Sequence, residues 1–246
     1  MGPMDRTDYL ASLRRDGDLL LTAAASGLDR PVPTCPGWTC ERLVAHIGRT
    51  HWWTAGWVAT GESPDVQPAP SGDAVVAWAR TGLDELVAAI DALDPDALVD
   101  TWLDRQPALF WARRMAVETA LHRVDAESAA DAITPVATDL AVDAVDELFE
   151  VVLTFSGTGE LPRTGQTIHL HATDPDLAEV EGAGEWLITV ATEGLSVTHE
   201  HAKGDLAIRG PVSDLLLLLW NRGGTDGLQI FGDESILADW RTHVTV

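Results

Sequence analysis

The sequence predicts an α plus α+β fold, in which an N-terminal four-helix bundle is followed by a smaller α+β domain. The first half contains four segments of about 20 residues whose apolar positions recur every three or four residues, the period of an amphipathic helix. After Thr134-Pro135 the pattern changes to short runs of alternating polarity, which is typical of strands. A chain of 246 residues with 46% hydrophobic residues can bury two cores. We therefore expect residues 1–134 to form the bundle and residues 135–246 to form the second domain.

The first two predicted helices are separated by a proline-rich crossing. Apolar residues at helical spacing run from Asp8 to Leu28, and Gly27 marks the expected end of that helix. Three prolines between residues 31 and 36 restrict the backbone and favour an extended segment. Thr39 then offers the side-chain oxygen typical of a helix N-cap, so the second helix is expected to run to about Thr60.

The third and fourth predicted helices follow a second proline-rich loop, at Gly61 to Gly72. The third helix is expected from Asp73 to Leu93, because Asp94-Pro95 cannot continue it. The fourth is expected from Pro107 to Ala130, with Pro107 in the first turn, where proline is tolerated. Four consecutive helices of this length are typical of a bundle.

Helices and strands are mixed in the second half of the chain. One helix is expected to end near Phe149, and two more are expected behind the strands, at Asp214 to Trp220 and Ser235 to Trp240. The runs that favour strands are Thr167 to Thr173, Trp186 to His199, Leu206 to Gly210 and Leu228 to Phe231.

Charge and hydropathy exclude several classes of partner. The formal net charge of -23 argues against binding to nucleic acid or anionic membranes, since both depend on Lys and Arg. The longest apolar run, Leu215 to Trp220, is too short to span a membrane. The first twenty residues carry charges in place of an apolar signal core, and the chain has only two cysteines. We expect a cytoplasmic protein whose oligomeric state the sequence does not specify.

Polar side chains interrupt the apolar stripes of the second and fourth predicted helices. Positions 111, 115, 118, 122 and 125 share one face of the fourth helix, and Glu118 and His122 stand among them. His46 interrupts the corresponding stripe of the second helix. An ionised carboxylate buried without a partner costs several kcal/mol, so Glu118 needs either a counter-charge or a metal ion.

These three residues suggest a metal site, with zinc as the preferred ion. Glu118 and His122 are four residues apart and project from one side of a helix, so both can bind an ion that His46 reaches from a facing helix. Two histidines and one carboxylate leave a fourth position open, as in catalytic zinc sites. Spacing alone leaves two alternatives open: Glu118 and His122 can form a surface pair, and His51 can replace His46 as a ligand.

Two motifs carry a family resemblance. The first is VPTCPGWT at Val32 to Thr39, which continues into LVAHIG at Leu43 to Gly48. The second is WARRMAVETALHRVDAE at Trp111 to Glu127. Together they resemble the mycothiol-dependent maleylpyruvate isomerase family of actinobacteria. The resemblance implies a DinB-like bundle that binds zinc, followed by a domain similar to sterol carrier proteins, in which Leu217 to Arg222 resembles an L-W-x-R segment.

The resemblance also implies a set of site residues and a cosubstrate. Zinc would be bound by His46, Glu118 and His122, and a low-molecular-weight thiol such as mycothiol would occupy the open position. A zinc ligand of this kind becomes a nucleophilic thiolate near neutral pH. It could isomerise a small conjugated or carboxylate-bearing substrate by adding to a double bond and leaving again, or remain attached in an S-transferase. The chain's own Cys35 and Cys40 are then not required as nucleophiles.

Substrate contacts are predicted from side-chain chemistry. Arg222 is the candidate catalytic residue that grips a substrate carboxylate, because a guanidinium group matches a carboxylate bidentately and the related family has an important arginine in this region. Arg80 is a second candidate. Trp53 belongs to a group of tryptophans at the metal end of the second helix, which could line the substrate or simply pack in the core.

Two other functions and one other site remain open. The chain could be a non-catalytic metal-binding or regulatory protein, or a biosynthetic enzyme that uses zinc as a Lewis acid without a thiol. Two histidine pairs with i,i+2 spacing could line the solvated face of a sheet or, on neighbouring strands, form a second metal site. These pairs are His169 with His171 and His199 with His201.

Overall fold

Helices form the first of two units in the computed structural model, which describes residues 4–156, 164–177, 182–192 and 194–244. The units are Met4–Thr134 and Pro135–Val246. Residues 4–134 are all described, and their helices are α1 (Arg6–Ala25), α2 (Cys40–Thr60), α3 (Ala74–Asp91) and α4 (Leu109–Ser128). All four helices predicted from periodicity are present, with ends that differ by no more than three residues.

Local sequence explains where these helices begin and end. Asp5 caps α1 by accepting a hydrogen bond from the Asp8 amide at 3.0 Å, and the Asp8 carboxylate accepts one from the Asp5 amide at the same distance. Thr39 caps α2, as predicted. Gly61 ends α2 with φ 74°, a left-handed conformation that glycine adopts without a steric penalty.

Helix α4 is buried on nearly all sides, because α1 and α2 both pack against it. Its buried polar residues are therefore paired. Arg123, which is 1% exposed, lies 3.1 Å from Asp16 of α1 and 2.7 Å from Glu127 one turn along α4. Breaking a buried pair of this kind leaves an uncompensated charge, so loss of either partner should be strongly destabilising.

A short hairpin between α3 and α4 was not predicted. Strands β1 (Leu98–Thr101) and β2 (Asp104–Pro107) pair antiparallel. The prediction that Pro107 opens the fourth helix was wrong, since Pro107 is the last residue of β2 and α4 begins at Leu109. Proline is accepted at the edge of a sheet because the missing amide is not needed there.

The second unit combines helices with one mixed sheet. Its described helices are α5 (Thr138–Glu147), α6 (Leu153–Ser156), α7 (Val212–Leu219) and α8 (Ser235–His243), with a π-helical turn at Leu148–Val152 between α5 and α6. The described strands are β3 (Thr167–Ala172), β4 (Glu185–Ala191), β5 (Gly194–Thr198), β6 (Leu206–Gly210) and β7 (Gln229–Gly232). They lie in the order β5-β4-β3-β6-β7, with β3 parallel to β6 and the other neighbours antiparallel.

The core of this unit lies on one face of the sheet. Ile168 and Leu170 of β3 and Trp186 of β4 point to that face and are buried, and α7 packs near β3 and β6. The Trp186 indole N–H donates to the Asp146 carboxylate of α5 at 2.7 Å. The predicted run from Trp186 to His199 is two strands, β4 and β5, and residue 193 between them lies outside the described residues.

The predicted fold class, a helical N-terminal region followed by a mixed-sheet region, is confirmed. Among the residues that the structure describes, no helix combines the length and apolar character needed to cross a bilayer.

Candidate metal centre

Three side chains from two helices converge in the first unit. Glu118 and His122 project from α4, and His46 projects from α2. His46 Nε2 lies 3.7 Å from Glu118 Oε1, and His122 Nε2 lies 3.2 Å from the same oxygen. One donor atom from each of the three residues lies within 4.8 Å of the other two.

Helical geometry accounts for this convergence. Residues four apart lie on one face of a helix, so Glu118 and His122 point in the same direction from α4. Helix α2 packs against α4 and supplies His46 from the opposite side, where the two imidazole rings stand 4.9 Å apart between centroids. The site is therefore built on helices rather than on loops.

Asp125 orients the ring of His122. His122 Nδ1 lies 2.8 Å from Asp125 Oδ2, and a carboxylate can only accept, so Nδ1–H is the donor. When the ring loses its other proton, as it must to bind a metal ion, the lone pair is on Nε2, the atom that faces Glu118. Ligating histidines usually donate their other ring N–H to such a carboxylate.

Arg114 holds the other side of Glu118. Its guanidinium forms a close hydrogen-bonded ion pair with Glu118 Oε2, one turn earlier on α4, while Oε1 faces the two histidines. Burial alone would raise the pKa of Glu118, but the charge of Arg114 and the hydrogen bonds from His122 and His46 outweigh it and hold this pKa well below its usual value. Glu118 is therefore ionised at neutral pH.

The pKa values of His122 and His51 are shifted in opposite directions. Burial would lower the pKa of His122, but hydrogen bonds to Asp125 and Glu118 raise it to about 9. Burial lowers the pKa of His51 to about 3, so this ring is neutral. His51 Nε2 makes a 2.9 Å hydrogen bond with Thr119 Oγ1, and His51 is outside the three-residue cluster.

These residues fit a divalent metal ion. Two imidazole nitrogens and one carboxylate oxygen form a donor set suited to zinc, and the donors converge on one point from two helices. Glu118 is ionised, and Asp125 directs Nε2 of His122 inward, where a metal ion would replace the proton on that nitrogen. Three protein donors leave room for an exogenous ligand.

A cavity of about 490 Å³ opens beside this cluster. His46 and Glu118 form part of its wall, and Arg49 and Arg114 bring two cationic groups to it. The other lining residues are Thr50, Trp53, Thr54, Trp102 and Met115.

Aromatic rings build one side of this cavity. Trp53 lies 4.7 Å from Trp57 and 6.5 Å from Trp102 between ring centroids, and Trp102 lies 5.0 Å from Trp111. The β1–β2 hairpin places Trp102 there, so it contributes to the cavity wall. Tilted and edge-on contacts of this kind are the favoured arrangements for aromatic rings.

Two family models match this chain. The family model described as "Mycothiol maleylpyruvate isomerase N-terminal domain" matches residues 10–127, and the one described as "MDMPI C-terminal domain" matches residues 139–239. The chain belongs to the mycothiol-dependent maleylpyruvate isomerase family. The resemblance inferred from the two motifs is confirmed, and so is the predicted class of protein, an enzyme of an isomerase family.

Solved structures of this family share the fold. A crystal structure of mycothiol-dependent maleylpyruvate isomerase aligns with a TM-score of 0.62 and 16% identity, over 94% of this chain and 95% of that chain. A variant of that enzyme with one histidine replaced by alanine aligns with a TM-score of 0.63 and 15% identity, over the same shares. No match was found among curated proteins.

The three residues predicted to contact the substrate, Trp53, Arg80 and Arg222, lie in three different environments. Trp53 lines the cavity beside the cluster, whereas the residues that line it do not include Arg80, which pairs with Asp18 of α1. Arg222 lies in the second unit, just after α7. There its guanidinium donates to the Trp220 carbonyl at 3.2 Å and lies 5.5 Å from the centroid of the Trp220 ring.

Arg49, Arg114, Asp125 and Trp102 are among the residues at the site that were not selected from the sequence. Three of them had a detectable signal: Arg49 follows His46 by three residues, Arg114 precedes Glu118 by four, and Asp125 follows His122 by three. At these intervals helical side chains are neighbours. Trp102 had none, because it depends on the hairpin.

Proposed function

We propose that this chain is a zinc-dependent isomerase that uses a low-molecular-weight thiol of the mycothiol type on a small, conjugated, carboxylate-bearing substrate. The observation that carries the proposal is the convergence of His46, Glu118 and His122 beside a cavity to which two arginines contribute. Membership of the mycothiol-dependent maleylpyruvate isomerase family supports both the thiol and the reaction type.

The metal would be held by His46 Nε2, Glu118 Oε1 and His122 Nε2, the atoms that face one another. When bound, zinc would lower the pKa of a thiol in the open position and present it as a nucleophilic thiolate. Arg114 and Asp125 keep Glu118 and His122 oriented for this task. Both partners act through a ligand, so they are positioning residues.

The reaction requires a cis double bond to become trans. The sulfur of the thiolate forms a bond to one carbon of the double bond, and the electron pair moves into the conjugated carbonyl system. Rotation occurs about the bond that has become single. The electron pair then returns to restore the double bond, and the C–S bond breaks with its electrons leaving on sulfur. No atom is gained or lost.

Arg49 is the residue of this cavity best placed to bind a substrate carboxylate. It lies on α2 three residues after His46, and its side chain is part of the exposed rim. Arg114, by contrast, is already paired with Glu118 and is 7% exposed at its side chain. A guanidinium group at the rim can pair with a carboxylate bidentately. Trp53 and Trp102 contribute apolar surface to the same space.

The predicted role of Arg222 is part of the same proposal. It rests on the resemblance of Leu217–Arg222 to a family segment and on the chemistry of the guanidinium group. The cytoplasmic location and the actinobacterial origin also stay predictions.

The test combines metal analysis with a thiol-dependence assay on tag-free protein. We expect about one zinc ion per chain at this site, and isomerisation of maleylpyruvate only when mycothiol is present. His46→Ala is expected to lose the zinc ion of this site and the activity, while His243→Ala, at the end of α8, retains both. Zinc binding without a thiol requirement would favour the Lewis-acid alternative. A product that retains the sulfur would indicate an S-transferase, and metal binding without turnover would indicate a regulatory protein.

A further inference from the structure

A second cluster of metal-binding residue types lies in the second unit. His169 Nε2 contacts Glu185 Oε2 at 2.6 Å, and His201 Nδ1 contacts Glu185 Oε1 at 2.9 Å. One donor atom of each of the three residues lies within 4.8 Å of the other two. A third ring, His171, places its Nδ1 2.5 Å from Glu185 Oε1.

The register of the sheet assembles most of this cluster. Glu185 of β4 lies directly opposite His171 of β3, and His169 is the diagonal neighbour two residues away. Side chains alternate along a strand, so these three share the face opposite to buried Ile168 and Leu170. The arrangement follows from strand pairing and does not require a chance orientation of loops.

The connection from β5 to β6 supplies the last ligand and covers the cluster. His201 lies in this connection. Gly204 passes so close to β3 that an added Cβ would lie 2.8 Å from the backbone nitrogen of His169. His169 is consequently 5% exposed although it lies on the side of the sheet away from the main core. His201 itself has a side chain that is 75% exposed, so solvent and ions can reach the cluster.

We propose that His169, Glu185 and His201 form a second divalent metal site, with Zn²⁺ as the preferred ion. Two imidazoles and one carboxylate are a donor set that suits zinc. Two ligands of a tetrahedral zinc ion, each at about 2.0–2.2 Å from the metal, lie roughly 3.3–3.6 Å apart. His169 and His201 contact different oxygens of Glu185, at 2.6 Å and 2.9 Å, so the carboxylate would bind the ion through both oxygens or turn to offer one.

His171 acts as a positioning residue in this proposal. It is outside the group of three whose donor atoms are all within 4.8 Å, yet its N–H donates to Glu185 Oε1. A hydrogen bond to a ligating carboxylate fixes the orientation of that ligand. The fourth coordination position is then open to water or to an exogenous ligand.

The proposed ion would link segments that lie far apart in the sequence, and this suggests a role in stability. It would tie β3 and β4 to the connection between β5 and β6, which holds an exposed His201. An ion that binds the folded state and not the unfolded chain raises the free energy of unfolding as its concentration exceeds its dissociation constant. The bound ion therefore stabilises the second unit.

The experiment compares metal-free, tag-free, full-length proteins titrated with Zn²⁺ by calorimetry, with bound metal counted by mass spectrometry. We expect His201→Ala and Glu185→Gln each to bind one equivalent fewer than the unmodified protein, or to bind it at least about tenfold more weakly. His201→Ala tests the proposal with little risk to folding because its side chain is exposed. His243→Ala removes a histidine from α8 and serves as the matched control.

A second readout is thermal. Zinc should raise the Tm of the His46→Ala variant, in which the cluster in the bundle is impaired, and should not raise it when His201→Ala is added. Equal stoichiometry and equal affinity in the unmodified and His201→Ala proteins would show that the three histidines and Glu185 form a hydrogen-bonded network only. Loss of the same equivalent in His243→Ala would show non-specific binding. Either result overturns the proposal, whether or not the cluster in the bundle binds metal.

Discussion

His122 Nδ1 lies 2.8 Å from Asp125 Oδ2, and this contact points Nε2 of the same ring toward Glu118. An aspartate three residues after a ligand candidate thus selects the tautomer of that ligand. Asp125 is fully buried, so its carboxylate contacts groups inside the bundle and not solvent.

Replacing Asp125 by Asn should weaken zinc binding by about 10–100-fold, the range seen when partners of this kind are removed. The amide of Asn can donate to Nδ1, which would move the proton of the neutral ring to Nε2 and block the ligand atom. Competition with a chromophoric chelator measures the change. Asp91→Asn, at the exposed end of α3, is the matched control, and unchanged affinity in Asp125→Asn would contradict the role assigned to Asp125.

Replacing Gly48 by Ala should lower the free energy of unfolding by about 1–3 kcal/mol, as overpacking usually does. An added Cβ would lie 2.6 Å from the Trp78 ring and 2.8 Å from Ala79 Cβ, where α3 packs against α2. Urea denaturation measures the loss. In the control Gly27→Ala, the new Cβ meets the flexible side chain of Arg30. If both variants lose the same stability, close packing at Gly48 is not the cause.

The two cysteines should react with a thiol reagent at very different rates. Cys40 is 1% exposed, and burial raises the pKa of its thiol, whereas Cys35 is half-buried. The thiolate is the reactive form, so native protein should show one fast thiol per chain. Cys35→Ser should remove the fast phase and Cys40→Ser should leave it. A fast phase that survives in Cys35→Ser would reverse the assignment.

Replacing Asp146 by Asn should increase stability at neutral pH. Burial raises the pKa of Asp146, and Glu150 and Asp143 add to this effect, while hydrogen bonding from Trp186 and the charge of His199 oppose it. Since the folded state holds this proton more tightly than the unfolded state, wild-type stability at this residue is gained as pH falls through the raised pKa.

The advantage of Asp146→Asn should therefore be greatest above that pKa and should shrink as pH falls through it. The amide oxygen of Asn can still accept the hydrogen bond from the Trp186 indole. Urea denaturation of both proteins across a pH series measures the difference. A stability difference that does not change with pH would show that titration of Asp146 is not its source.

Periodicity predicted the four helices of the bundle because the apolar spacing of a helix is local to each segment, and in α2 the caps Thr39 and Gly61 added start and stop signals. It also placed Glu118 and His122 on one face, since a helix fixes that relation locally. Their roles as metal ligands stay a prediction. Contacts that join distant segments were harder to predict. The hairpin that brings Trp102 to Trp111 has strands of four residues, which are too short for a clear alternating pattern.

The second unit illustrates the same limit. The alternation along β3 showed that His169 and His171 share a face, but not which strand stands opposite. That Glu185 completes their surroundings depends on the register between β3 and β4, and the approach of His201 depends on the path of the connection after β5. Neither is encoded in the spacing of the histidines themselves.

The tryptophan wall of the cavity has an optical consequence. Trp53 and Trp102 line the cavity, and Trp57 and Trp111 lie within 6.5 Å of Trp53 between ring centroids. Indole emission depends on the surroundings of the ring, so we expect a ligand that enters this space to change the protein's own fluorescence. Occupancy of the cavity can thus be measured by tryptophan fluorescence, without a label and before any product is formed.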